Sequence, residues 1–154
     1  MPIRLLTENE TKQLSDKLQS LSKEDLRYFN PHSFDIETVK RLPSINEHWF
    51  YSLVVDDYNV GYGMIRKWDG FRAPTIGYVI WPEHRGKGYG NLIVEELVKE
   101  AHRLGFNAVK ASVHWDNKAS IATLRKRGFG FMGQVEEGIE KDYLWFGLSE
   151  RRPD

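Results

Sequence analysis

The stretch Thr75-Ile-Gly-Tyr-Val-Ile-Trp-Pro-Glu-His-Arg-Gly-Lys-Gly-Tyr-Gly-Asn91 decides how this chain of 154 residues folds. Ile76 to Trp81 is a short apolar run that reads as a strand. Pro82 follows it, and a basic, glycine-dense turn then leads into an amphipathic helix that runs to about Leu104. Gly86, Gly88 and Gly90 lack a Cβ, so the turn can take positive φ and bring successive N–H groups to one side. The first N–H groups of the helix have no intrahelical partner and sit at the positive end of its dipole, where a pyrophosphate can accept from them. Arg85 and Lys87 add charge at the mouth. The structural alternative is a left-handed glycine turn with two solvated cations. A Walker A loop is excluded because Gly88, not Ser or Thr, follows Lys87. A dinucleotide fingerprint starting at Gly86 is excluded by Asn91, where glycine is required.

What does fit is Arg-x-x-Gly-x-Gly, at Arg85, Gly88 and Gly90. Here the sequence resembles the GNAT superfamily of acyl-CoA-dependent N-acyltransferases, whose pyrophosphate loop has the form Gln/Arg-x-x-Gly-x-Gly/Ala. Downstream, Asn117-Lys-Ala-Ser-Ile-Ala-Thr-Leu-Arg-Lys-Arg-Gly-Phe129 is similar to the family's Asn-x-x-Ala/Ser…Lys-x-Gly-Phe segment. The two motifs stand in the family's order with helix and strand patterns between them, so the resemblance covers most of the chain. It implies an α/β (α+β) fold of GNAT type, in which a central mixed, mostly antiparallel sheet of six to seven strands is flanked by about four helices, with residues 1–154 as one domain.

Composition agrees with that class. The length suits one domain with a sizeable core. The 22 basic and 22 acidic residues cancel, so no global field favours nucleic acid or an anionic membrane. The absence of cysteine excludes disulfides, thiolate metal sites and a cysteine nucleophile. No apolar signal core opens the chain and no run reaches the length of a membrane span, so a cytoplasmic, soluble protein is expected.

Around the central stretch the elements follow from local chemistry. Ile3 to Leu6 reads as a short strand, and Thr7 to Glu10 is a Thr-x-x-Glu box that opens a helix with Leu14, Leu18 and Leu21 on one face. Ser22 to Asp25 opens a second helix that ends at Asn30-Pro31. Asp35 caps a third from Ile36 to Leu42, which Pro43 closes. His48 to Val55 is strand-like, Asp56 to Asn59 reads as a turn, and Val60 to Trp68 pairs back. After the long helix come a strand from Ala108 to His114 and a helix from Asn117 to Arg127. Phe129 to Val135 and Tyr143 to Leu148 read as a closing hairpin joined by an acidic loop, and Arg151 to Asp154 is a polar tail.

The resemblance also implies a site. Acetyl-CoA, as co-substrate, would be bound by Arg85, Gly86, Lys87, Gly88, Tyr89, Gly90 and Asn91, with Asn117 near the cofactor. The strand before the loop would splay from its neighbour, and pantetheine would pair in the wedge with the backbone of Val79 and Ile80. A backbone N–H near Ile80 would serve as oxyanion donor. Asn117 is equally a good helix N-cap, and both roles can hold. Tyr28, Phe29 and His32 are candidates for acceptor recognition, unless the rings only pin two helices together. Ser112, His114 and Asp116 share one strand face, and His114 is the candidate base; a surface histidine at a strand end is the alternative. Leu124 departs from the family, since many relatives carry there a tyrosine that protonates the leaving thiolate. His32, His48 and His102 show no metal-ligand spacing, and no metal is required.

The expected function is therefore N-acetyltransfer from acetyl-CoA to a primary amine, either a small molecule or a peptide N-terminus. The alternative is a non-catalytic acyl-CoA-binding regulatory module, which Leu124 favours slightly. An unrelated phosphate-binding domain would be a third reading if the Asn117 to Phe129 match were accidental. Homodimers are frequent in the family, although the sequence shows no self-complementary patch.

Overall fold

The computed structural model describes residues 2–135 and 142–149. Along them run β1 (Ile3–Leu5), α1 (Thr11–Gln19), α2 (Lys23–Tyr28), α3 (Ile36–Arg41), β2 (His48–Val55), β3 (Tyr58–Arg66), β4 (Thr75–Ile80), α4 (Tyr89–Arg103), β5 (Ala108–His114), α5 (Lys118–Lys126), β6 (Gly130–Gln134) and β7 (Tyr143–Ser149). Among these residues the strands form one seven-stranded sheet in the order β1-β2-β3-β4-β5-β7-β6. Every pairing is antiparallel except β4 with β5. The mixed sheet is the expected one. The described α-helices number five, not about four, because short α2 and α3 each carry their own cap. The Ser22 hydroxyl accepts from Asp25 N–H (3.1 Å), and the Asp35 carboxylate accepts from Thr38 N–H (3.1 Å).

Three local expectations shift. The Glu10 carboxylate does accept the Thr7 N–H, but the box opens a 3₁₀ turn, Glu8–Glu10, and α1 begins at Thr11. The β2–β3 turn contains only Asp56 and Asp57, with φ of 51° and 67°; two left-handed residues match the twist of the flanking strands, so pairing resumes at Tyr58. Pro43 lies inside a further 3₁₀ turn, Leu42–Ser44. The acidic loop at 136–141 and the tail at 151–154 lie outside the described residues.

Helices cover both faces of the sheet. On one, Ile93, Val94, Leu97 and Ala101 of α4 and Leu124 of α5 pack on Leu53, Ile65, Ile76, Ile80 and Val109. On the other, Leu14, Leu18, Phe29, Val39 and Leu42 pack on Phe50, Tyr62, Met64, Val79 and Trp81. Gly63 sets the close approach of α4: a Cβ there would stand 3.0 Å from Ile93 Cδ1 and 3.1 Å from Leu97 Cδ1.

Candidate functional site

The site begins where β4 and β5 part. Their parallel pairing is confined to Thr75 against Lys110, with Lys110 N–H donating to Pro74 O (2.9 Å). Beyond it β4 still pairs with β3, and the bond from Trp81 N–H to Val60 O (3.0 Å) fixes the alternation. Val79 therefore turns its N–H and C=O toward Tyr62, while Tyr78 and Ile80 turn theirs toward the gap left by β5. This corrects one expectation: Val79 lines the gap, but the backbone edge turned toward it belongs to Tyr78 and Ile80, where Arg85 already occupies the Ile80 carbonyl and the N–H groups face the gap.

The gap is a cavity of about 830 Å³. The glycine turn closes one end. Gly86 and Gly88 both have left-handed φ, 78° and 82°, and a Cβ on either would project into open space. Gly88 is the N-cap of α4, and the first bond of that helix, Leu92 N–H to Gly88 O (3.2 Å), leaves the N–H groups of Tyr89, Gly90 and Asn91 without intrahelical partners. Gly90 is already helical, so its missing Cβ gives room and not positive φ. Asn91 Oδ1 is buried without a partner. A free strand edge, open positive-φ glycines, bare helix N–H groups and an orphaned acceptor are what a pyrophosphate on an amide-bearing arm requires.

The other predicted residues divide. Tyr28, Phe29, Arg85 and Asn117 line the cavity; Lys87, His32 and His114 do not. Asn117 caps α5 through Ser120 N–H (3.3 Å) while facing the cavity, so both of its expected roles are geometrically compatible. Arg85 does not point freely into the mouth. Its Nε donates to Ile80 O (2.9 Å) and its Nη1 to Asp25 (2.7 Å). Burial pushes the Asp25 carboxyl up, but hydrogen bonds from Arg85 and Ser22 outweigh it and hold the group below its ordinary range.

His32 is turned away from the cavity. Its Nδ1 donates to Ser33 O (2.8 Å) and its Nε2 is bonded to Tyr62 Oη (2.9 Å), among Phe34 and Phe50. Because a carbonyl only accepts, Nδ1 carries the proton and Nε2 accepts from the phenol. His114 is 6% exposed, packed edge-on to Tyr28 and Tyr143, and its Nδ1 accepts Asp116 N–H at 3.1 Å. That bond leaves the neutral ring's proton on Nε2, so His114 is a donor and does not suit the role of base. Leu124 is fully buried in the core below α4.

Sequence reading passed over Tyr78, Ser120 and Thr123, which also line the cavity. Strand parity with Ile80 was the signal for Tyr78, and helical spacing after Asn117 was the signal for the other two. Among the described residues no cluster of His, Asp or Glu is arranged to hold a metal ion, and no helix is long and apolar enough to cross a membrane.

Residues 3–130 match the sequence profile of the acetyltransferase (GNAT) domain. The chain belongs to the GNAT acetyltransferase family. It is similar to the L-methionine sulfoximine/L-methionine sulfone acetyltransferase of Salmonella typhimurium, with 31% identity over 64% of this chain and 62% of that protein. The L-amino acid N-acyltransferase MnaT of Escherichia coli is 29% identical over the same shares. The chain spans between 52% and 62% of the length of the curated relatives it matches first. Among solved structures, the aminoglycoside acetyltransferase AAC(6')-Ib in complex with coenzyme A superposes with a TM-score of 0.79 at 16% identity, covering 96% of this chain and 93% of that one. That likeness shows the GNAT fold.

Proposed function

We propose that this chain is an N-acetyltransferase that takes acetyl-CoA in the wedge and passes its acyl group to the α-amine of an amino acid or of a peptide N-terminus. The observation that carries the proposal is the row of Tyr78 and Ile80 N–H groups turned to the gap and ending at the left-handed Gly86 and Gly88 turn. When bound, acetyl-CoA supplies an acyl group activated as a thioester. Gly86 to Asn91 hold the pyrophosphate on backbone N–H groups, and Asn91 and Asn117 give amide contacts. The Ile80 N–H faces the charge that develops on the carbonyl oxygen, and one preorganised donor of this kind is worth about 3 kcal/mol. Tyr28 and Phe29 form the wall on the acceptor side, and Glu24 beside them favours an approaching ammonium. The amine reacts in its neutral form, its proton passing to water. The amino acid acceptor is supported by the names of the two relatives above.

The same facts about His114 and Leu124 favour a second reading, a module that binds acyl-CoA without turnover. One assay separates them. Acetyl-CoA is incubated with methionine sulfone, other L-amino acids, an alanine-ended peptide and spermidine, and free thiol is followed colorimetrically; the chain has no cysteine, so only CoA responds. Release that depends on an amino acid or peptide supports the proposal. Tight acetyl-CoA binding with no amine-dependent release supports the module, and release with spermidine alone overturns the acceptor.

A further inference from the structure

Acyl transfer leaves negative charge on sulfur as well as on oxygen, and a hydrogen-bond donor in the wedge stabilises it. Leu124 cannot supply one. Tyr78 is placed differently from the other cavity hydroxyls, because the same residue offers the free backbone edge and a phenol that crosses from β4 to α5. Its Oη lies 2.9 Å from Ser120 Oγ, with the Thr123 side chain also in hydrogen-bonding reach. A Cβ on Gly90 would stand 3.8 Å from both Tyr78 Cε2 and Thr123 Oγ1, so the ring lies directly under the first turn of α4.

We propose that the Tyr78 phenol is the hydrogen-bond donor to the departing thiolate, delivered from β4 and oriented by Ser120. This rests on the reading of the wedge as an acetyl-CoA site. The amine lone pair forms the C–N bond, the C–S pair moves to sulfur, and the phenol O–H donates to that sulfur without leaving oxygen. Burial raises the Tyr78 hydroxyl above its ordinary range against the opposing bonds from Ser120 and Thr123. A thiol near pKa 8.5 is the stronger acid of the two, roughly. The amine's proton goes to water, and water returns one to sulfur.

The test reads CoA itself and needs no turnover. The thiol of bound CoA is titrated by its ultraviolet thiolate absorbance in wild type, Tyr78→Phe and Ser120→Ala, with desulfo-CoA as the blank. The thiol is expected to titrate about one pH unit higher in Tyr78→Phe than in wild type. Affinity for desulfo-CoA stays within about twofold, since Phe keeps the ring packing. Identical titration in wild type and Tyr78→Phe overturns the assignment, and so does a displacement found only in Ser120→Ala, which would make Ser120 the donor. A wild-type protein that binds neither CoA nor desulfo-CoA would instead overturn the cofactor reading from which the assignment starts.

Discussion

His114 accepts Asp116 N–H at Nδ1, and Arg85 is bound to Asp25 and to Ile80 O, so hydrogen bonds decide what these two residues can do. Neither contact was legible in the sequence. Residue type and strand parity made His114 a base, but its tautomer depends on a turn two residues on. The charge of Arg85 was visible, whereas its partner in α2 is brought near only by tertiary structure. His32 gives a measurable consequence. Burial, reinforced by the charge of Arg66, lowers its pKa from the ordinary 6.5, and burial lowers that of His48 as well. Above pH 6.5 both states of the chain are neutral at these rings. As pH falls below that value, the unfolded chain takes up protons before the folded one, so stability declines. The acidic groups with lowered pKa values, Glu10, Asp25 and Asp35, have ordinary values of 4.5 and 3.8 and contribute only at lower pH. The urea midpoint should therefore fall between pH 7 and about 5.5, and less steeply in His32→Gln. An equal decline in the variant would exclude His32 as a source.

The elements themselves were largely legible. Strands β2 and β5 run as expected from β-branched and aromatic residues, and α5 starts after Asn117 and ends before Gly128, which has φ of 93°. The misses concern boundaries that depend on backbone handedness, as at Asp56 and Asp57, or on the choice between 3₁₀ and α turns, as at Glu8–Glu10. Neither leaves a distinct pattern of apolar residues. At Asn117 the two sequence readings make separable predictions. Asn117→Ala should cost about 1 kcal/mol of stability by removing the cap, and Asn117→Ser should restore most of it. Both should weaken CoA binding, because the amide that faces the cavity is lost in each. If Asn117→Ser binds CoA as wild type does, Asn117 is a cap alone.

The whole molecule turns a break in one sheet into a site. β4 stays locked to β3 while β5 is held by β7, so the two central strands separate after Thr75 and leave an edge between two helical layers. The wall on the acceptor side is tied across that break: Tyr28 Oη donates to Asp116 (3.4 Å), Arg27 pairs with Asp116 (3.5 Å), and Tyr143 Oη donates to Arg27 O (3.1 Å). A parallel pairing that stops after one residue pair cannot be read from periodicity; only the glycine motif and the family resemblance pointed to it. The most direct measurement is calorimetric titration of CoA into wild type and Gly88→Trp. The account predicts one site in wild type and a loss of affinity of at least about a hundredfold in the variant, whose indole fills the space that the bare left-handed turn leaves for phosphate. Binding in Gly88→Trp as tight as in wild type, or no binding by wild type, would contradict the placement of the cofactor in this wedge.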